Sequence, residues 1–421
     1  MKPARMMSVV AAVVAMVLML RTGGGAARKG EDLRRFNRQD AAASGSPEYV
    51  VTNDDVPTVG GNSATIYQIG ARGALTQIKV IRTKGTGIGG GDYSTARVNI
   101  LRSPTQDCAY VGDAAGPKGK APGDVAAINM KTLKLAGAFP GSAHDTGNSI
   151  GVGLAETPKG TYLFATYTAS ATIATYKQLA GCKLKFVGNA ASAVGLNGGA
   201  VDGMRVTPNG KYLVVAYGDK SIGSWRIGAS GRLKLIGNIP TADHKTAVGV
   251  DISGNGNYAI FGVANGMSAT AEVSPIAADG GLGATTGYPG IGKGADGENV
   301  WLSPDQNWIY ITNNTSGQFG AAPFNQATGV IDPSKSCTSK VLKGFGSKWS
   351  WLSGLATRST VGTGGFLYGA EWNGGGPSGI AIVAVTVNGG ACTLKETSAS
   401  PVSDPASPGL MSIGVDPPRN F

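Results

Sequence analysis

The chain has 421 residues, 67 of them glycine, with 42% hydrophobic and 15% charged residues and a formal net charge of +11. So large an apolar fraction excludes a disordered chain, and glycine without a three-residue period excludes a collagen-like one. Once Lys2, Arg5, Arg21 and the basic segment behind them are set aside, about +6 remains, which on average is too dilute for the clustered cations of a nucleic-acid footprint.

Taken in order, Lys2 and Arg5 precede an apolar run from Met6 to Leu20, and Gly25, Ala26 and Ala27 supply small residues for cleavage. Residues 1–27 therefore read as a secretory signal peptide, the run being short for a bilayer. An uncleaved anchor is the alternative. Residues 28–46 carry Arg28, Lys29, Arg34, Arg35 and Arg38 against three acids and have no apolar face, so a flexible basic arm is expected. The mature chain is expected to be secreted or to lie in the cell envelope or periplasm, with no stable membrane span after cleavage.

From residue 47 to 421 one pattern returns seven times. An alternating apolar run ends at Ser/Thr-Pro or a near equivalent, a short turn follows, and an aromatic opens a second run, as in WLSPDQNWIYITNN from Trp301. The turn position recurs every 46 to 59 residues, at Pro104, Pro158, Pro208, Gly254, Pro304, Arg358 and Pro417. A third and a fourth run follow in most units, such as IGSWRI from Ile222 and RLKLIG from Arg232. Four short strands per unit predict an all-β fold of antiparallel β-propeller blades. The part from Glu48 begins with a second-type strand, EYVVTND, and GLMSIGVDPP from Gly409 is a first strand with no second. Pairing these orphans closes a ring of seven blades and removes free sheet edges.

Cys108, Cys182, Cys337 and Cys392 fall toward one rim, opposite the loops that lead into the inner strands. Cys108–Cys182 and Cys337–Cys392 would each link neighbouring blades, though spacing alone leaves three connectivities open, and buried free thiols are the alternative to bridges. Without a C-x-x-C spacing, neither a metal nor a cofactor is expected. The glycine-rich stretch TKGTGIGGGDYS from Thr83 lacks the Lys-Ser/Thr and helix of a phosphate loop and reads as a long loop. Asn313 and Asn314 open overlapping glycosylation sequons that read equally as turn residues.

Candidate chemistry gathers at the channel mouth. Asp202 and Glu298 stand six residues before the turn position, opening the fourth and sixth inner strands where other blades carry Val, Leu or Met. His244 lies in the loop before the fifth inner strand, so Asp202, His244 and Glu298 come from three consecutive blades and are the catalytic candidates. The alternative for the acids is rim ion pairing with Arg205, Lys245 or Lys293, or bonding to backbone amides of neighbouring loops. His144, His244, Trp349, Trp351, Glu371 and Trp372 are the candidate ligand-binding residues, because tryptophans beside polar groups suit a sugar or peptide.

YVVTN from Tyr49 and YITNN from Tyr310, behind SPDQ from Ser303, resemble the YVTN repeat of lactonase-like seven-bladed propellers, a superfamily with 6-phosphogluconolactonase-type and carboxymuconate-lactonising-type members. The resemblance implies the propeller fold and, for Glu371 in FLYGAEWN, the place of a glutamate that closes a second strand in the lactonising members. Their Arg-His dipeptide is missing. Two functions follow as expectations. The first is an exported, monomeric, non-catalytic propeller that binds a small molecule, a glycan or a protein at its mouth and loop rim. The second is a hydrolase of a sugar-derived or aromatic lactone, with a histidine activating water and Arg97 or Lys245 holding the oxyanion.

Overall fold

The computed structural model describes residues 48–421 apart from 90–96, 103–105, 143–153, 191, 243–244, 265–269, 292–296, 314–315, 344–349, 361–363, 374–377, 389, 410–411 and 417–421. Its compact unit begins at Ser46. The protein is a seven-bladed β-propeller of antiparallel sheets with four or five strands each. The inner strands of blades 1 to 7 are Ser412–Asp416, Val98–Arg102, Leu154–Glu156, Val201–Val206, Thr246–Ile252, Gly297–Leu302 and Ser350–Thr360. Each touches the next, and Ser350–Thr360 touches Ser412–Asp416, so the ring closes.

Closure follows the predicted pairing. Ser412–Asp416 lies antiparallel to Tyr49–Asn53, with Val50 opposite Val415 and Thr52 opposite Ile413, and blade 1 continues through Ser63–Ile69 to Leu75–Arg82. The core is a ring as well. Seven apolar clusters occupy the seven interfaces between blades. Alternation divides each second strand between two of them: Leu213, Val215 and Tyr217 pack toward blade 3, and Val214 and Ala216 toward blade 5.

The repeated turn owes its sequence to two bonds. The hydroxyls of Thr157, Thr207, Ser253 and Ser303 accept the amides of Tyr162, Tyr212, Tyr258 and Trp308 at 3.0 to 3.1 Å. The tyrosines then reach the next blade, their hydroxyls donating to the carbonyls of Ala229, Ala278 and Ala327. Each ring lies on a glycine, Gly231, Gly280 or Gly329, with φ between +71 and +90 and no room for a Cβ. One aromatic thus locks its own turn to the neighbouring blade, which is why it recurs.

Cys108 bridges Cys182 between blades 2 and 3, and Cys337 bridges Cys392 between blades 6 and 7. Sequence separations of 74 and 55 residues close long loops in the unfolded chain. Reducing either bridge is expected to cost about 2–4 kcal/mol, read as a lower urea midpoint in the presence of reductant. Asn313 is fully buried at the end of strand Trp308–Asn313, which excludes a glycan there, and Asn314 lies outside the described residues. No helix among the described residues is long and apolar enough to cross a membrane.

Candidate functional site

The loops entering the inner strands and the turns between second and third strands share one face, the channel mouth. Near it the second strands end in a residue facing the preceding blade. That residue is Asp113, Tyr167, Tyr217, Asn313 and Glu371 in blades 2, 3, 4, 6 and 7, and Asp54 takes the place just past the blade 1 strand. All six are buried.

In blades 1 and 2 these acids belong to a dense network. Thr52, Ser63 and Thr65 donate their hydroxyls to Asp54 at 2.5 to 2.9 Å. Asn62 donates to both Asn53 and Asp113, Thr83 donates to Asp113 at 2.9 Å, and Asn53 reaches the Gly112 carbonyl of blade 2 at 2.8 Å. The Arg97 guanidinium meets the Asp55 carboxylate at 2.7 Å, both groups being 1% exposed. Ser412 accepts the Arg97 amide at 3.0 Å, and Ser407 donates to the Asp54 carbonyl at 2.7 Å. The glycine-rich loop lies over this network, and a Cβ on Gly85 would collide with the Asp113 carboxylate and one on Gly87 with the Asp55 backbone. Its glycines permit close approach to the aspartates.

Burial raises the carboxyls of this network. Burial, then the charge and carboxyl of Asp124, directly opposed across adjacent strands, push Asp113 well up. Burial and the Asp54 charge raise Asp404 to about 7. The network therefore ties the ring closed across blades 7, 1 and 2. Arg97, an expected oxyanion holder, is instead committed to Asp55 in the interior, because an arginine there needs a buried counter-charge.

Glu371 differs from these acids. It sits in strand Gly364–Asn373, opposite Gly379 and Leu352, and its Oε1 has no hydrogen-bond partner among the described residues. Leu367 on the same strand face packs against blade 6, so Glu371 points into the mouth-side end of the blade 6 and 7 interface. Burial and then the Glu396 charge raise its carboxyl to about 7, the range of a group that gives and takes protons at neutral pH. The folded state holds the proton that the unfolded chain loses above about 4.5, so stability falls as pH rises from 4.5 to 7 and stays low beyond it. Glu371→Gln is expected to raise the Tm at pH 8 and leave it unchanged at pH 4, by thermal melts across pH. An equal melt shift at both pH values would refute the buried acid.

Of the other predicted residues, Asp202 is half-buried with its carboxylate against Gly218 of its own blade, and Glu298 is buried, its backbone packed on Gly249 and Gly262 of blade 5. His144, His244 and Trp349 lie outside the described residues. Trp351 and Trp372 face each other in register on the first two strands of blade 7, with only their backbones described. Lys245 is exposed.

Sequence reading missed a second constellation. Three residues before the turn position, blades 1, 2 and 3 carry Gly414, Leu101 and Ala155, but blades 4, 5 and 6 carry Arg205, Asp251 and Trp301. The Arg205 guanidinium lies 3.6 Å from Asp251 and 4.9 Å from the centre of the Trp301 ring. Glu272, fully buried, accepts the Ala242 amide at 2.9 Å within the loop that carries His244. Comparing that one position across all blades would have found Arg205 and Asp251; the Glu272 contact leaves no signal in the sequence.

No protein-family model matches this chain, and no curated protein matches it by sequence. Solved structures do. A 6-phosphogluconolactonase-like protein of Bacteroides fragilis superposes with a TM-score of 0.63 at 12% identity, covering 89% of this chain and 99% of that one. A second, from Bacteroides uniformis, gives 0.52 at 16% identity over 70% and 83%. The periplasmic gluconolactonase PpgL of Pseudomonas aeruginosa gives 0.49 at 15% identity over 64% and 75%. The two Bacteroides likenesses, at 12% and 16% identity, agree with the propeller fold.

Proposed function

We propose that this is an exported propeller that hydrolyses a sugar-derived or aromatic lactone at its mouth, with Glu371 as the acid–base group. The observation that carries this reading is the buried, incompletely bonded Glu371 carboxyl at the mouth-side end of a second strand, where the resemblance puts a functional glutamate. Its carboxylate would take a proton from water as that water attacks the lactone carbonyl, then return it to the departing ring oxygen, which leaves an open hydroxy acid. Asp202 and Glu298, which open the inner strands of blades 4 and 6, are the polar groups we assign to substrate contact alongside Glu371. The apolar run from Met6 to Leu20 supports export.

Binding without turnover is the second reading, favoured by the missing Arg-His pair. Assays of the chain from residue 28 onward on glucono-δ-lactone and dihydrocoumarin, corrected for spontaneous opening, separate the two. Hydrolysis should rise through pH about 7, and Glu371→Gln should lower it roughly 100-fold or more. His244→Ala serves as a comparison. Calorimetric binding with no turnover above buffer would sink the hydrolase and leave the binding module.

A further inference from the structure

The charge of the propeller is diffuse only on average. The outer parts of blades 1 to 4 span residues 70–82, 129–140, 176–190 and 225–240, and they hold Arg72, Lys79, Arg82, Lys131, Lys134, Lys177, Lys183, Lys185, Arg226, Arg232 and Lys234. No aspartate or glutamate occurs in these four stretches. All eleven cations are exposed, and none forms an ion pair with a described residue. The corresponding stretches of the other blades are mixed: Asp279 in blade 5, Lys335 paired at 2.9 Å with Asp332 in blade 6, and Lys395 beside Glu396 in blade 7.

Lysines on edge strands serve to prevent edge-to-edge pairing, and a lysine on each outermost strand would satisfy that need. That need gives no reason to exclude acids, nor to spare Thr286–Pro289, the cation-free outer strand of blade 5. A one-signed arc over four consecutive blades instead creates a continuous positive potential that attracts a polyanion and releases its counterions.

We infer that the outer rim of blades 1 to 4 is a docking surface for a flexible acidic polysaccharide. The arc runs round the convex edge of the disc, so a flexible chain follows it over four blades, whereas a flat membrane meets it only tangentially. Double-stranded nucleic acid is a stiff rod with the same limitation. Single-stranded nucleic acid calls for aromatic platforms between the cations, but the exposed apolar residues here are Ile78, Val80, Leu179 and Leu235, with Phe186 the one ring.

The test uses the chain from residue 28 onward and two variants of equal net charge. One carries Lys79→Gln, Lys134→Gln, Lys185→Gln and Lys234→Gln; the other carries Lys118→Gln, Lys120→Gln, Lys340→Gln and Lys395→Gln. Binding to polygalacturonate is measured from about 50 to 200 mM salt, beside neutral dextran, vesicles with anionic lipid and single-stranded DNA. The rim variant should bind polygalacturonate at least tenfold more weakly, with a shallower salt slope, while the comparison variant keeps wild-type affinity. Equal losses in both variants would reduce the effect to net charge and overturn the proposal. Tighter binding to vesicles or DNA than to polygalacturonate, or no binding to polygalacturonate at the lowest salt, would overturn it as well.

Discussion

A chain that stops at Gly409 is expected to lose more than about 5 kcal/mol of stability, which is the whole stability of many domains. The missing strand, Ser412–Asp416, supplies the inner edge of blade 1 and pairs along its length with Tyr49–Asn53. Ile413 and Val415 are buried, and burial of each such side chain contributes about 1.5–3 kcal/mol. Gly414 packs on Val98 and Ile100 of blade 2, so the cut also uncovers apolar surface on a second blade. Ser412, which accepts the Arg97 amide, goes with it. Circular dichroism and urea unfolding of the truncated chain provide the check. A melt within a few degrees of wild type would refute closure by this strand.

Replacing Arg97 by alanine is expected to cost about 3–5 kcal/mol, because it strands the Asp55 carboxylate at 1% exposure with its cation gone. Asp55 would keep its bond from the Ile88 amide at 3.0 Å, which orients the carboxylate but carries no full charge. The pair joins the mouth loop of blade 1 to the entry of blade 2, so the loss falls on an interface and should appear as a lower urea midpoint with little change in slope. Adding Asp55→Asn to Arg97→Ala should recover part of the loss, since the stranded charge is then removed. A cost below about 1 kcal/mol for the single change would mean that water reaches the pair and screens it.

Pairing of the terminal strand was legible because each orphan run carries its own period-two alternation and turn signal, and only one partner was missing at each end. The bridges were half legible. Four cysteines on one rim made links between neighbouring blades possible, but whether they bridge and in which of three connectivities needed the structure. Arg97 was read as a free mouth cation because nothing near it in sequence is its partner; Asp55 lies 42 residues earlier, in another blade. Glu371 was picked out by resemblance, yet its burial and raised carboxyl arise from packing against blade 6 and from Glu396, 25 residues further on.

The one-signed rim belongs between these cases. Every cation on it is visible in the sequence, and averaging over the propeller hid the separation of sign until the outer strands were placed side by side. By itself the sequence determined the blade, the count of seven and the closing pair, since these follow from alternation, turn chemistry and a fixed period, all properties of short stretches. Only the tertiary structure decided which charges are buried, which are paired and which stand together on a surface. Those depend on neighbours brought from whole blades away, and a change of solvent exposure alters the energy of a charge by more than any local preference does.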